Sequence, residues 1–276
     1  MNGATALMVD NLILRDETHA SKPTKPKLTP HKQPNGRVMF NDDSGNAVYS
    51  YEQGEIGVSL PSGRKTNILY DSRLVGQAQY SPICGGFAFS PEAIKIPRRP
   101  DDNPLALWED SERMTDYIFE HEYIHFVWDQ LSPEEKERTI NLFSRAEILP
   151  YTRSFGAVLI ANKEYATEEM QDLTIDCFEF QYGGSIHRFP KEFIISELLA
   201  HVVIGKMMHR EGLDNIQVRN RERKNFVDRS KTAIDCLARV EKLPEEITFL
   251  RQKGLVDNKD FVKDYPVLKQ TALGLA

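Results

Sequence analysis

The sequence predicts an α+β fold with a β-rich N-terminal portion and a helical C-terminal portion, and three observations carry that expectation. Between residues 37 and 100, short apolar runs rich in Val, Ile, Tyr and Phe alternate with Gly, Asn, Asp, Ser and Pro. After Asn103 and Pro104 the texture changes to amphipathic segments of helical length. Before both, the stretch KPTKPKLTPHKQP from Lys22 to Pro34 holds four lysines, four prolines and hardly an apolar residue, a composition that favours an extended, solvated linker. The expected division is therefore 1–36, an N-terminal segment with a Lys/Pro-rich linker, and a domain over 37–276, β-rich over 37–100 and helical over 104–276.

Each element has its own signal. The runs RVMF, AVYSY, IGVSL, NILY, FAF and AIKI are expected as strands, separated by turns such as DDSGN and LPSGR. Apolar periodicity places helices over roughly 105–130, 133–145, 167–181, 190–209 and 216–242. The second of these has a defined start, because Ser132 offers an N-cap hydroxyl, Pro133 suits the first helical position and Glu135 stands at the third.

Composition narrows the function. A formal charge of −6 and a pI near 5.7 argue against a nucleic-acid binder that works through overall charge. Cys84, Cys177 and Cys236 are too few and too scattered for a disulfide framework and lack CxxC spacing, which fits a reducing compartment. No basic leader precedes an apolar core near the N-terminus and no apolar run is long enough to span a bilayer, so a cytoplasmic protein is expected.

The chemistry concentrates in YIFEHEYIHFVWD, residues 117–129. On a helix, positions four apart stand one above the other, so His121 and His125 can present two imidazoles to one tetrahedral cation, with Glu122 at their flank as a base. At 100° per residue, His121, His125, Met114, Ile118 and Asp129 share one sector, opposite Glu112, Arg113, Asp116, Glu120 and Tyr123. Both histidines are thus expected to face inward. The plainer reading is a pair of partly buried structural histidines.

A catalytic zinc takes three protein ligands and keeps an open position. Trp128 and Leu131 stand where a metzincin needs glycine and histidine, which excludes that class. The third ligand is sought in FPKEFIISELLAHVVIGKMM, apolar almost all round like a buried helix, where Glu197 lies among Phe193, Ile194, Ile204 and Met208. An uncompensated carboxylate there would cost on the order of several kcal/mol, which a cation would offset. His201, one turn on, is the next candidate, as ligand, as support for a ligand or as a donor to substrate. Glu168, Glu169, Asp176, His187 and Glu192 remain behind these. The plainer reading of Glu197 is pairing with a neighbouring Arg or Lys.

HEYIH followed by a second helix bearing SELLAH resembles the gluzincin branch of the zincin metallopeptidases, in particular its small intracellular members, over roughly Gly85 to Met208. The resemblance implies a zincin-like α+β fold, a glutamate ligand from the second helix, and an edge strand just before the active-site helix that pairs with a peptide or protein substrate. In this chain that strand falls in GGFAFSPEAIKIP, with Phe87, Ala88 and Phe89 at its centre; a core strand ended by Pro97 is the alternative. The expected activity is peptide-bond hydrolysis by a zinc-activated water with Glu122 as general base. Tyr182, His187 and His201 are candidate donors to the developing oxyanion, and Asp129 is a candidate to orient a ligand imidazole.

Two other functions fit parts of the sequence. VRNRERKNFVDRSK places six Arg or Lys between residues 219 and 231, a stripe that could grip nucleic-acid phosphates or a partner, although mixed charge on a helix is more often a solvated face. A zincin-fold sensor or scaffold without catalysis is the other, and the intact Glu122 argues against it.

Overall fold

The structure is a computed structural model and describes residues 29–32, 38–41, 47–51, 53–70, 78–81, 85–89, 111–161, 176–182, 184–210, 221–257 and 259–275. The DDSGN turn, the AIKI run, Glu168 and Glu169 lie outside them. The described residues form a mixed α+β chain with seven helices and three small sheets. They divide into two compact units, Val127–Asn258 and the described residues up to 126 together with Lys259–Ala276.

The β-rich unit holds two sheets. Strands β1 (Thr29–Lys32), β2 (Val38–Asn41) and β3 (Ala47–Tyr51) pair antiparallel in that order. Four residues of the expected linker are therefore strand, with His31 opposite Met39. Strands β4 (Gln53–Ser59), β5 (Lys65–Tyr70), β6 (Ala78–Ser81) and β7 (Gly86–Phe89) form a second sheet in the order β4-β5-β7-β6. The LPSGR turn closes the β4–β5 hairpin: Leu60 N–H donates to Arg64 O at 2.8 Å, and Gly63 supplies the φ of +87° that a side chain would resist.

This order corrects the expectation for Phe87, Ala88 and Phe89. Strand β7 is parallel to β5 on one side and antiparallel to β6 on the other, so its backbone groups are engaged by two neighbours and it lies inside the sheet. Phe87 is fully buried, against Tyr123 and Phe126 of helix α1 (Ser111–Asp129). Among the described residues the edge strands of this sheet are β4 and β6.

Helix α1 runs as far as Phe126 in the β-rich unit and gives its last turn to the other. Next come α2 (Pro133–Phe143), α3 (Leu149–Ala161), the hairpin of β8 (Cys177–Tyr182) and β9 (Ser185–Pro190), α4 (Lys191–Arg210), α5 (Arg221–Val240) and α6 (Pro244–Gln252). The start of α2 is the expected capping box: Ser132 Oγ accepts the Glu135 N–H at 3.3 Å, and Glu135 Oε2 accepts the Ser132 N–H at 2.9 Å.

Strand β8 replaces the end of the helix expected over 167–181. Phe178 and Phe180 are buried while Glu179 and Gln181 are exposed, a period of two that a helix cannot satisfy, and Gly184 at φ +86° turns the chain into β9. Helix α4 is the buried helix its composition implies, with every residue from Ile194 to Gly205 inside. The last helix, α7 (Lys259–Leu275), belongs to the β-rich unit, where Asp264 accepts the Ser62 N–H at 2.8 Å. Among the described residues no helix is long and apolar enough to cross a membrane.

Candidate metal centre

The site starts from one helical turn. His121 and His125 stand four apart on α1 with their Nε2 atoms 3.1 Å apart and their rings 4.8 Å between centroids, crossed at 74°. Both are half-buried. Glu122, also half-buried, has its Oε2 accepting the main-chain N–H of Tyr80 at 2.9 Å. On α4, Glu197 is 6% exposed, and one ligand atom from each of His121, His125 and Glu197 lies within 4.8 Å of the other two.

These three residues could hold a metal ion. Bonds of about 2.0–2.1 Å in tetrahedral geometry separate ligand atoms by roughly 3.3 Å, close to the spacing of the imidazole pair. Two imidazoles and one carboxylate form a set that leaves a fourth tetrahedral position open.

The sector assigned to the histidines needs correction. Glu120 and Tyr123, expected on the solvent side of α1, are each 2% exposed, so this part of the helix is covered on more than the histidine face. A polar network makes that burial tolerable for Tyr123. Its hydroxyl donates to Asp264 Oδ2 at 2.6 Å and accepts from Arg64 Nη1 at 3.1 Å, while Ser62 Oγ donates to the same carboxylate at 2.5 Å. Burial, followed by the hydrogen bond to Asp264, holds the Tyr123 phenol protonated far above the ordinary tyrosine range.

The remaining candidates have other surroundings. His201 is 1% exposed with Nδ1 3.2 Å from Ser230 Oγ and its ring against Phe155. Glu192 accepts from Trp128 Nε1 at 3.1 Å and from Lys136 at 2.8 Å, and exposed Asp176 pairs with Lys191. His187 is half-buried on β9 opposite Phe180, and Tyr182 ends β8 opposite Ser185. Asp129 closes α1, half-exposed. None of these belongs to the group gathered within 4.8 Å among the described residues.

In the basic stripe, Arg229 is 6% exposed and Lys231 is exposed, while Arg219 lies outside the described residues. A buried Arg229 is not available to a phosphate backbone.

Two polar groups that contact residues of HEYIH escaped the sequence reading. The Tyr80 N–H is a backbone donor, and the only trace of its strand was the alternation AQYS before Pro82. Asp264 reads as one acid among many on an amphipathic helix, although its place three residues after Phe261 and four before Leu268 puts it on their buried face.

No protein-family model, curated protein or solved structure matches this chain.

Proposed function

We propose that the chain is a zinc metallopeptidase of the zincin type that hydrolyses a peptide bond in a peptide or protein, with His121, His125 and Glu197 holding the metal and Glu122 as general base. The observation that carries this reading is the coincidence of three ligand atoms within 4.8 Å with a glutamate on the same turn as the two histidines. A structural histidine pair has no need of Glu122 beside it, nor of a carboxylate brought to it from a buried helix.

When bound, zinc would lower the pKa of a coordinated water and polarise the scissile carbonyl. The rest of the chemistry belongs to the chain. Glu122 takes a proton from the attacking water and delivers it to the leaving amine, so one carboxylate serves as base and then as acid. The aromatic packing of Phe87, Tyr123 and Phe126 backs α1 and limits how far the histidines can drift. Glu197 would bring a carboxylate to the two imidazoles, and a divalent ion would offset the cost of burying it on this helix.

The test measures zinc content and hydrolysis of β-casein, an unfolded protein, by purified wild type, Glu122→Gln and Glu197→Ala. About one zinc per chain is expected in the first two and much less in the third, with hydrolysis in the wild type alone. Full zinc in Glu197→Ala would move the third ligand elsewhere. Hydrolysis by Glu122→Gln would remove the assigned base.

A further inference from the structure

We propose that the main-chain N–H of Tyr80 is the positioning group for Glu122, and that the Tyr80 ring is the anchor that keeps this donor in place. The role as support for a catalytic base rests on the peptidase reading above; the contact itself does not. Glu122 Oε2 accepts the Tyr80 N–H at 2.9 Å across 42 residues of sequence. The donor belongs to β6, a four-residue strand at the edge of its sheet, where a short segment has little of its own to fix it.

The anchor is the side chain. Tyr80 is 3% exposed, with its ring centroid 5.3 Å from that of Phe87 on β7 and 5.6 Å from that of Phe126 on α1. Phe126 directly follows His125. The turn that carries both imidazoles therefore also grips, through Phe126, the strand whose backbone holds the glutamate between them. This closed circuit of contacts needs no residue from outside α1 and its sheet.

The physical consequence is orientation. A glutamate has three rotatable bonds, and on a half-buried turn its carboxylate can swing away from the histidines. A charge-assisted bond from a backbone donor, which has no side-chain freedom of its own, fixes one oxygen. Proton transfer then falls to Oε1. A base held in this way loses little entropy on reaching the transition state, which acts on kcat more than on KM.

Replacing Tyr80 by its α-hydroxy analogue tests this directly, because the resulting ester keeps the ring, deletes the N–H and otherwise only weakens the Gln79 carbonyl as an acceptor. Hydrolysis of β-casein should show kcat reduced roughly 10- to 100-fold, with KM and zinc content unchanged. An ester variant with unchanged or raised kcat overturns the proposal. The second arm needs no activity: the Tyr80 amide should exchange with solvent at least about tenfold faster in Glu122→Ala than in wild type, with Ala88 on the neighbouring strand unaffected. Equal exchange at Tyr80 in the two proteins overturns the proposal. A wild type that hydrolyses nothing sinks the peptidase reading, and the exchange arm still decides whether Tyr80 holds Glu122.

Discussion

At the scale of single residues, the members of the candidate metal group were legible and the groups around them were not. HEYIH stands out because a metal site of the proposed kind needs particular residue types at a fixed spacing. Glu197 stood out because a carboxylate on an apolar helix needs a reason. Tyr80 meets Glu122 through its backbone N–H, a group that nearly every residue shares, and Asp264 meets Tyr123 across 141 residues. The fully buried Asp264 carboxylate accepts three hydrogen bonds, so Asp264→Ala leaves the Tyr123 hydroxyl and the Ser62 N–H wanting acceptors. The expected cost is roughly 3 kcal/mol in urea unfolding; a loss below about 1 kcal/mol would mean that water enters the network. Cys236 provides a pH test. Burial pushes its thiol up from 9.0 to about 11, against a weaker opposite pull from the Thr152 hydroxyl. Because the folded pKa is the higher, this stability is full below pH 9 and is lost as pH rises from 9 towards 11. Wild type should lose on the order of 1–2 kcal/mol more than Cys236→Ala across that window. Parallel curves would contradict it.

At the scale of elements, local rules were read well and neighbours poorly. The capping box fixed the start of α2, and unbroken apolar character identified α4 as buried. The end of the helix expected over 167–181 proved to be β8, because Phe178 and Phe180 alternate with polar residues and a GGS turn follows. FAF was read either as an edge strand or as a core strand, and it lies inside the sheet. A strand's own pattern does not say which strands flank it, and β6 was too short to register. The wheel drawn for α1 likewise placed Glu120 and Tyr123 in solvent, since charge and hydroxyl mark them as polar whatever network receives them. Close approach of elements gives a further prediction. A Cβ on Gly205 of α4 would lie 2.5 Å from Ile234 Cγ1 and 2.9 Å from the Ser230 carbonyl oxygen of α5. The carbonyl cannot move without shifting the α5 backbone. Gly205→Ala should therefore cost about 1–3 kcal/mol in thermal unfolding, despite alanine's better helix propensity; a neutral or stabilising change would show that the two helices part easily.

At the scale of the whole molecule, the change of texture near residue 104 precedes the first helix among the described residues and does not mark where the compact units divide. Helix α1 contributes to both units, and α7, the last element of the chain, belongs with the strands near the first. Periodicity reports which way a helix faces, and only a long-range tie such as Asp264 to Ser62, 202 residues apart, says what it faces. The account turns on whether one metal ion is held by two helices at once. X-ray absorption at the zinc edge of the purified protein tests this most directly. It should show zinc bound at about 2.0–2.2 Å by two imidazole nitrogens and a carboxylate oxygen, with one imidazole lost in His125→Ala. Zinc without imidazole scattering, or a chain that retains none after dialysis, would contradict the account.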